Sequence, residues 1–230
     1  MTPEIIPKTQ NLHKTVYKKL KSQIINFTLK PGQKLQDRQL GLQFGVSRTP
    51  VREALNRLVQ EGFVRQISGR GYFVKEITIK EIENLYEVRE ALEVLAAQQA
   101  IRNINNRQIK KLCEILKSHK KLIQKGKCKG RLLEDADFHK TITLSSGNKY
   151  LYEIIDNIFD KISTFQAIDI LTLQRAKIAY RQHKEIFNLL KEKDTQGLKK
   201  KLSKHISEAK RDAIERLKKK TGFLYLGYHT

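Results

Sequence analysis

Three histidines and one aspartate fall where helices would bury them. Within residues 131–145, Leu132, Asp135, His139 and Ile142 share one face at helical spacing. Within 173–193, Ala179, His183, Ile186 and Leu190 do the same, and within 196–220 so do Leu198, Leu202, His205 and Ala209. A single histidine on such a stripe is most often a hydrogen-bonded core residue. Three on three stripes, with a carboxylate that would be costly to bury alone, shift that balance. One divalent cation would answer all four groups and keep coordination positions open, zinc first, with nickel or manganese as alternatives. Asp135, His139, His183 and His205 are therefore the expected metal ligands, whereas His13, His119 and His229 lack such placement. Arg89 is also expected to point inward, on a stripe with Ile82, Leu85, Leu92 and Ala96. It pairs with an internal acid such as Glu93 or Asp137, or offers its fork to the carboxylate of an anionic ligand.

A second group of chemistry-bearing residues lies near the N-terminus, in "GVSRTPVREALNRL" (Gly45 to Leu58). Val51, Leu55 and Leu58 form the buried stripe of a helix, but its first turn gathers Ser47, Arg48, Thr49 and Pro50. Ser47 is expected as N-cap, its hydroxyl accepting from first-turn N–H groups, and Pro50 is tolerated inside that turn. Arg48 and Arg52 share a different face, with Thr49 and Asn56 beside it. Arginine forks match guanine edges in a major groove, and Ser or Thr reach phosphates and base edges. Arg38 on the preceding segment is placed to grip the backbone, and Arg70, next to Ser68-Gly69, to enter a neighbouring groove.

These residues need elements to hold them. Residues 11–27 carry Leu12, Val16, Leu20, Ile24 and Phe27 at helical spacing, Pro31-Gly32 breaks the pattern, and 36–44 is a short second helix before the Gly45 turn. After the third helix, Phe63-Val64 and Tyr72-Phe73-Val74 are strand-like and bracket the turn at Ser68-Gly69. Helix, helix, turn, helix, hairpin is the winged helix-turn-helix pattern. Beyond residues 75–80 only helices are expected: 80–103, 106–125, 131–145, 148–170, 173–193 and 196–220, broken at Gly126, Gly130, Gly147 and Gly197. The fold class is mainly α, with a DNA-reading domain over 1–76, an all-helical bundle over 77–222 and a tail over 223–230.

Charge points to the class of partner. The 46 Lys+Arg against 24 Asp+Glu give +22, which favours polyanions or anionic surfaces. The excess is spread over both halves, with +9 in residues 1–76 and +13 beyond, so it does not locate a site. Two separated cysteines, Cys113 and Cys128, suit a reducing compartment. "MTPEIIPKTQ" has no signal-peptide core, and no apolar run reaches the ~20 residues of a membrane span. A cytoplasmic protein without membrane partners is expected.

Residues 35–74 resemble the DNA-binding domain of GntR-type bacterial transcription regulators, through "VSRTPVREAL" and the glycine-bearing wing. The resemblance implies DNA contacts at Arg38, Ser47, Arg48, Thr49, Arg52, Ser68, Gly69 and Arg70. Phe27 stands where many members have glycine. "LYEVREALEVLAA", "DADFHKTITLSSGN", "YRQHKEIF" and "KLSKHISEAK" are similar to the effector domain of the FadR subfamily, often called FCD. Metal-binding members use an Asp and three His in these segments. That implies the same four ligands, with Arg89 on the effector side. The reading is a DNA-binding transcription regulator, a repressor, working as a homodimer on double-stranded operator DNA and controlled by a small carboxylate at the metal. Two alternatives compete: a metal hydrolase, for which no obvious carboxylate base accompanies the ligands on the inner stripes, and a helical domain that only dimerises.

Overall fold

Val16, Leu20 and Ile24 are the buried face of helix α1 (Leu12–Ile25), and they set the first core of the chain. A computed structural model describes residues 12–26, 28–126, 131–166 and 173–226, without the side chains of 131–133, 165–166 and 219–226. Phe27, Cys128, Gly130, His229 and the side chain of Leu132 therefore lie outside the described residues. The chain divides into two units, residues 1–77 and 78–230.

In the first unit, α1 packs on α3 (Arg48–Gln60), whose Val51, Leu55 and Leu58 are fully enclosed. Between them come strand β1 (Lys34–Leu35) and α2 (Asp37–Phe44). Gly45 takes φ 67, the left-handed conformation that closes α2, and Val46 N–H returns to the Gly41 carbonyl at 2.9 Å. Gly41 is needed for that approach, since a Cβ there would stand 2.9 Å from the Val46 oxygen. The hairpin follows as β2 (Val64–Ile67) and β3 (Gly71–Val74), with Gly69 at φ 69 in its tip. The sheet order is β1-β3-β2, antiparallel throughout, with Leu35 opposite Tyr72 and Gln66 opposite Tyr72 on the other side. Strand β1 was absent from the sequence reading: two residues are too short to show alternation, and only pairing to β3 defines them. Ser47 holds the N-cap position with extended backbone, but its hydroxyl caps nothing, contrary to expectation. It stays exposed and available.

In the second unit, α4 (Ile79–Asn103) starts from a complete Thr78/Glu81 capping box and α5 (Asn106–Gln124) from an Asn105/Gln108 one. They are followed by α6 (Arg131–Ser145), α7 (Lys149–Gln166), α8 (Leu173–Glu192) and α9 (Thr195–Leu226). Helix α4 packs on α6, α7, α8 and α9, and α8 also meets α5, α6 and α9. The inward faces of α4, α6, α8 and α9 thus converge. Two helix limits differ from the sequence reading. The break before α9 is not at Gly197, which lies in its first turn and donates its N–H to the Asp194 carboxylate at 2.9 Å. The break is made by Lys193, with φ 59. Helix α9 also runs on to Leu226, into the segment assigned to a tail.

One polar cluster ties α1 to the end of α3. Glu61 accepts from the Tyr17 hydroxyl at 2.6 and 2.8 Å, from Lys21 Nζ at 3.2 Å and from Arg57 Nε at 3.0 Å. Burial pushes the Glu61 carboxyl up, but the hydrogen bonds from Tyr17 and Arg57 and the Lys21 charge outweigh it and leave it below its ordinary value. Glu61→Gln is expected to destabilise the protein by on the order of 1–2 kcal/mol in urea unfolding near neutral pH. Because the folded carboxyl is depressed, this contribution is present above the ordinary carboxylate value and disappears as pH falls through the lowered one. Wild type and variant should therefore converge in acid.

Candidate functional site

The first candidate surface is the front of α3. Arg38, Ser47, Arg48, Thr49, Arg52, Ser68, Gly69 and Arg70 are all exposed. Asp37, the first residue of α2, organises the arginines: its Oδ2 accepts from Arg48 Nη2 at 3.0 Å and Nε at 3.3 Å, with Arg52 Nε 3.9 Å away. Exposed pairs of this kind are weak, so they orient the guanidinium groups without holding them against a stronger anion. Arg38, Arg48, Arg52, Gln66, Ser68 and Gly69 line one concavity of about 530 Å³ between helix start and wing. The wing is fixed to the helix by the Tyr72 hydroxyl, which donates to Asn56 Oδ1 at 2.6 Å. Sequence reasoning placed Asn56 beside the reading face; its partner is the wing. Asp37 was missed, although an acid opening the helix before a basic turn is a visible signal.

The second candidate is a cluster inside the helical unit. His139 of α6, His183 of α8 and His205 of α9 are buried, and their Nε2 atoms form a triangle with sides of 3.1, 3.2 and 3.2 Å. Asp135 Oδ1 lies 3.3 Å from His183 Nε2, with its side chain 22% exposed. All four sequence-predicted ligands are thus in one place, each offering an atom within 4.8 Å of the others.

Partners behind the rings decide which atoms face the centre. His139 Nδ1 is 2.5 Å from Glu93 Oε2, a close contact without hydrogen-bond alignment; a carboxylate accepts only, so this neighbour favours the ring proton on Nδ1 and a lone pair on Nε2. Gln182 donates its amide to Glu208 Oε2 at 2.6 Å, which turns its own oxygen toward His205 Nδ1 at 2.9 Å. His205 Nε2 is therefore also a lone pair. Two lone pairs 3.1 Å apart repel, and neutral His183 can supply at most one proton to the space. A shared cation resolves all three contacts. At ordinary zinc–nitrogen lengths of about 2.0–2.1 Å, these separations subtend about 95–105°, between octahedral and tetrahedral angles. The donor set fits a divalent ion.

Electrostatics agree. Burial pushes His183 down to about 4, against the opposing pull of Asp135. Burial, then His183 and His139, hold His205 well below the imidazole range. Burial would raise the Asp135 carboxyl, but the His183 hydrogen bond and neighbouring positive groups bring it well below its ordinary value. Neutral His183 and His205 beside an ionised Asp135 suit metal binding, which needs deprotonated ligands.

Arg89 is buried as expected, and of its two proposed acid partners the structure selects Glu93, whose Oε1 accepts from Arg89 Nε at 2.5 Å; Asp137 is exposed. The guanidinium lies 4.3 Å from the Phe159 ring centre and 5.3 Å from that of Tyr86, and its Nη2 has no hydrogen-bond partner among the described residues. A buried unpaired guanidinium nitrogen is costly unless an anion reaches it. Two features escaped the sequence reading. Glu93, expected only as an acid partner of Arg89, also reaches the ligand His139, and with both oxygens in contact it is no free general base. His119 is buried, its ring 5.8 Å from that of His183 and 5.7 Å from that of Tyr180. Its helix stripe (Leu112, Ile115, Leu116, His119) was there to be read.

Among the described residues, no helix is long and apolar enough to cross a membrane. Residues 12–74 match the family of bacterial regulatory proteins named gntR, and residues 84–208 match the FCD domain. The HTH-type transcriptional regulator YdhC of Bacillus subtilis is 28% identical over 192 residues, 83% of this chain and 86% of its own. The HTH-type transcriptional repressor RspR of Escherichia coli is 24% identical over 200 residues, 87% of this chain and 88% of its own. Among solved structures, E. coli McbR/YncC shares the fold with a TM-score of 0.79 at 23% identity, covering 91% of this chain and all of that one.

The depressed imidazoles make a pH prediction for chelated protein. Folded His183 titrates near 4 against an ordinary 6.5, so between these values the unfolded state binds more protons. The stability is whole above the ordinary value and is lost as pH falls toward the lower one. Urea unfolding from about pH 7 down to about pH 4 should show a decline of about 3 kcal/mol from this residue. His183→Gln should flatten the slope.

Proposed function

The chain belongs to the gntR family of bacterial transcription regulators and carries an FCD domain, and on that premise we propose that it is a repressor whose operator affinity is set by a small carboxylate held at a divalent metal. The observation that carries the reading is the convergence of three imidazole Nε2 atoms and Asp135 in a buried space, near a buried arginine with an unpaired Nη2. The named repressor among its relatives supports the direction of control.

On DNA, Arg48 and Arg52 leave Asp37 for guanine edges or phosphates, Ser47 and Thr49 bond beside them, Arg38 grips the backbone, and Ser68, Gly69 and Arg70 bring the wing to the adjacent groove. The partner is operator DNA bound by a homodimer, with recognition helices about 34 Å apart in successive major grooves. A second copy is supported by Val88 and Leu95 on α4 and Ile154 on α7, large apolar side chains left exposed on two helices that pack together. In the helical unit, Asp135, His139, His183 and His205 hold the ion, with zinc suiting this nitrogen-rich set. Bound there, the ion supplies a Lewis-acidic anchor for an oxygen ligand. Arg89 offers Nη2 to the same ligand's carboxylate, and ring contacts from Tyr86 and Phe159 keep its fork in place. Ligand binding alters operator affinity only as far as the ligand prefers one conformation of the chain over another.

Two variants separate the halves of this reading. Arg48→Ala should lose about 1–3 kcal/mol of preference for a duplex selected by wild-type protein over a scrambled one, with zinc content unchanged. Fluorescence anisotropy on both duplexes measures this, and retained preference would remove Arg48 from the reading face. His183→Ala should keep DNA binding but lose zinc by elemental analysis and the rise in melting temperature on adding zinc. Zinc uptake equal to wild type would refute the ligand set.

A further inference from the structure

We propose that Glu93 is a positioning residue that couples cation binding at the three imidazoles to anion binding at Arg89, an inference that rests on the metal-and-carboxylate reading above. Its carboxylate is divided between two donors on different helices. Oε1 accepts from Arg89 Nε, one turn away on α4, and Oε2 faces His139 Nδ1 on α6, each at 2.5 Å. The side chains of Arg89, Glu93 and His139 are 1%, 3% and 0% exposed, so water cannot replace either contact. Phe159 and Tyr86 keep the guanidinium from swinging to another acceptor.

One charge therefore serves two sites. A cation drawing density from the His139 ring makes Nδ1–H a stronger donor and pulls the carboxylate's charge toward Oε2. Arg89 is then less fully neutralised, and its unpaired Nη2 presents more positive charge to an incoming anion. By reciprocity, an anion on Arg89 releases Glu93 toward His139 and strengthens that ring as a ligand.

Glutamine at this position has the shape of glutamate but one acceptor oxygen and an NH₂ end. It cannot serve two N–H donors, so one of them must face a donor. Zinc affinity of the full-length protein, measured by competition with a chromophoric chelator, should weaken about 10–100-fold in Glu93→Gln. Long-range ¹H–¹⁵N spectra of metal-free protein should show His139 leaving its Nδ1–H tautomer, a signature that a purely structural role would not produce. Arg89→Lys keeps the charge but breaks the fork, returning Glu93 to His139, and should tighten zinc by at least about threefold, an effect absent in the Glu93→Gln background. If Glu93→Gln does not fold, Arg89→Lys alone decides: unchanged zinc affinity overturns the coupling. Equal zinc affinity in wild type and Glu93→Gln, or additive effects of the two substitutions, also overturns it. Absence of zinc binding by the wild type overturns the metal reading itself.

Discussion

Three imidazole nitrogens held 3.1–3.2 Å apart inside a helical bundle put three donor atoms of one kind into a single buried space. The helical unit is arranged around that constraint. Each ring comes from a different helix, α6, α8 or α9, and α4 provides the wall with Glu93 and Arg89. The outer neighbours, Glu93 for His139 and the Gln182–Glu208 pair for His205, stand against the Nδ1 atoms of two rings and leave Nε2 to the centre. Buried polar networks of this kind are worth keeping only when every member is satisfied. Here only His205 has its outer nitrogen hydrogen-bonded, while Nδ1 of His139 and His183 lack an aligned partner among the described residues.

The two units use one device at opposite depths. At the front of α3, Asp37 lies between Arg48 and Arg52; in the helical unit, Glu93 lies against Arg89. In both, an acid holds a guanidinium in a defined direction while leaving nitrogen donors for a partner. The difference is solvent. Arg48 and Arg52 are 63% and 59% exposed, so their pairing with Asp37 is screened and weak. Arg89 and Glu93 are almost fully enclosed, where breaking the pair would strand a charge.

Much of this was legible in the chain. Periodicity located every helix of both units to within a few residues along most of their lengths, because those signals are local. The Gly45 turn, the hairpin around Ser68-Gly69 and the outward Arg48 and Arg52 followed from the same local rules. So did the stripes carrying His139, His183 and His205, since a residue spaced with buried leucines goes where they go. The misreadings share a cause. Gly197 looked like a helix break, but Lys193 and Asp194 make it; a chain can pass a glycine if a side chain caps the turn ahead. Ser47 looked like a cap and is not, since occupying the position does not fix the rotamer.

The sequence by itself determined which side chains lie on which face of which helix, and through the regulator-family motifs, what the first unit does. It could not say that Glu93 serves Arg89 and His139 together, that Gln182 rather than a carboxylate orients His205, or that His119 is buried beside Tyr180. Those are contacts between helices distant in the chain. The 3.6-residue period specifies a direction for each side chain within its own helix, but only the packing of α4, α5, α6, α8 and α9 fixes how those directions meet.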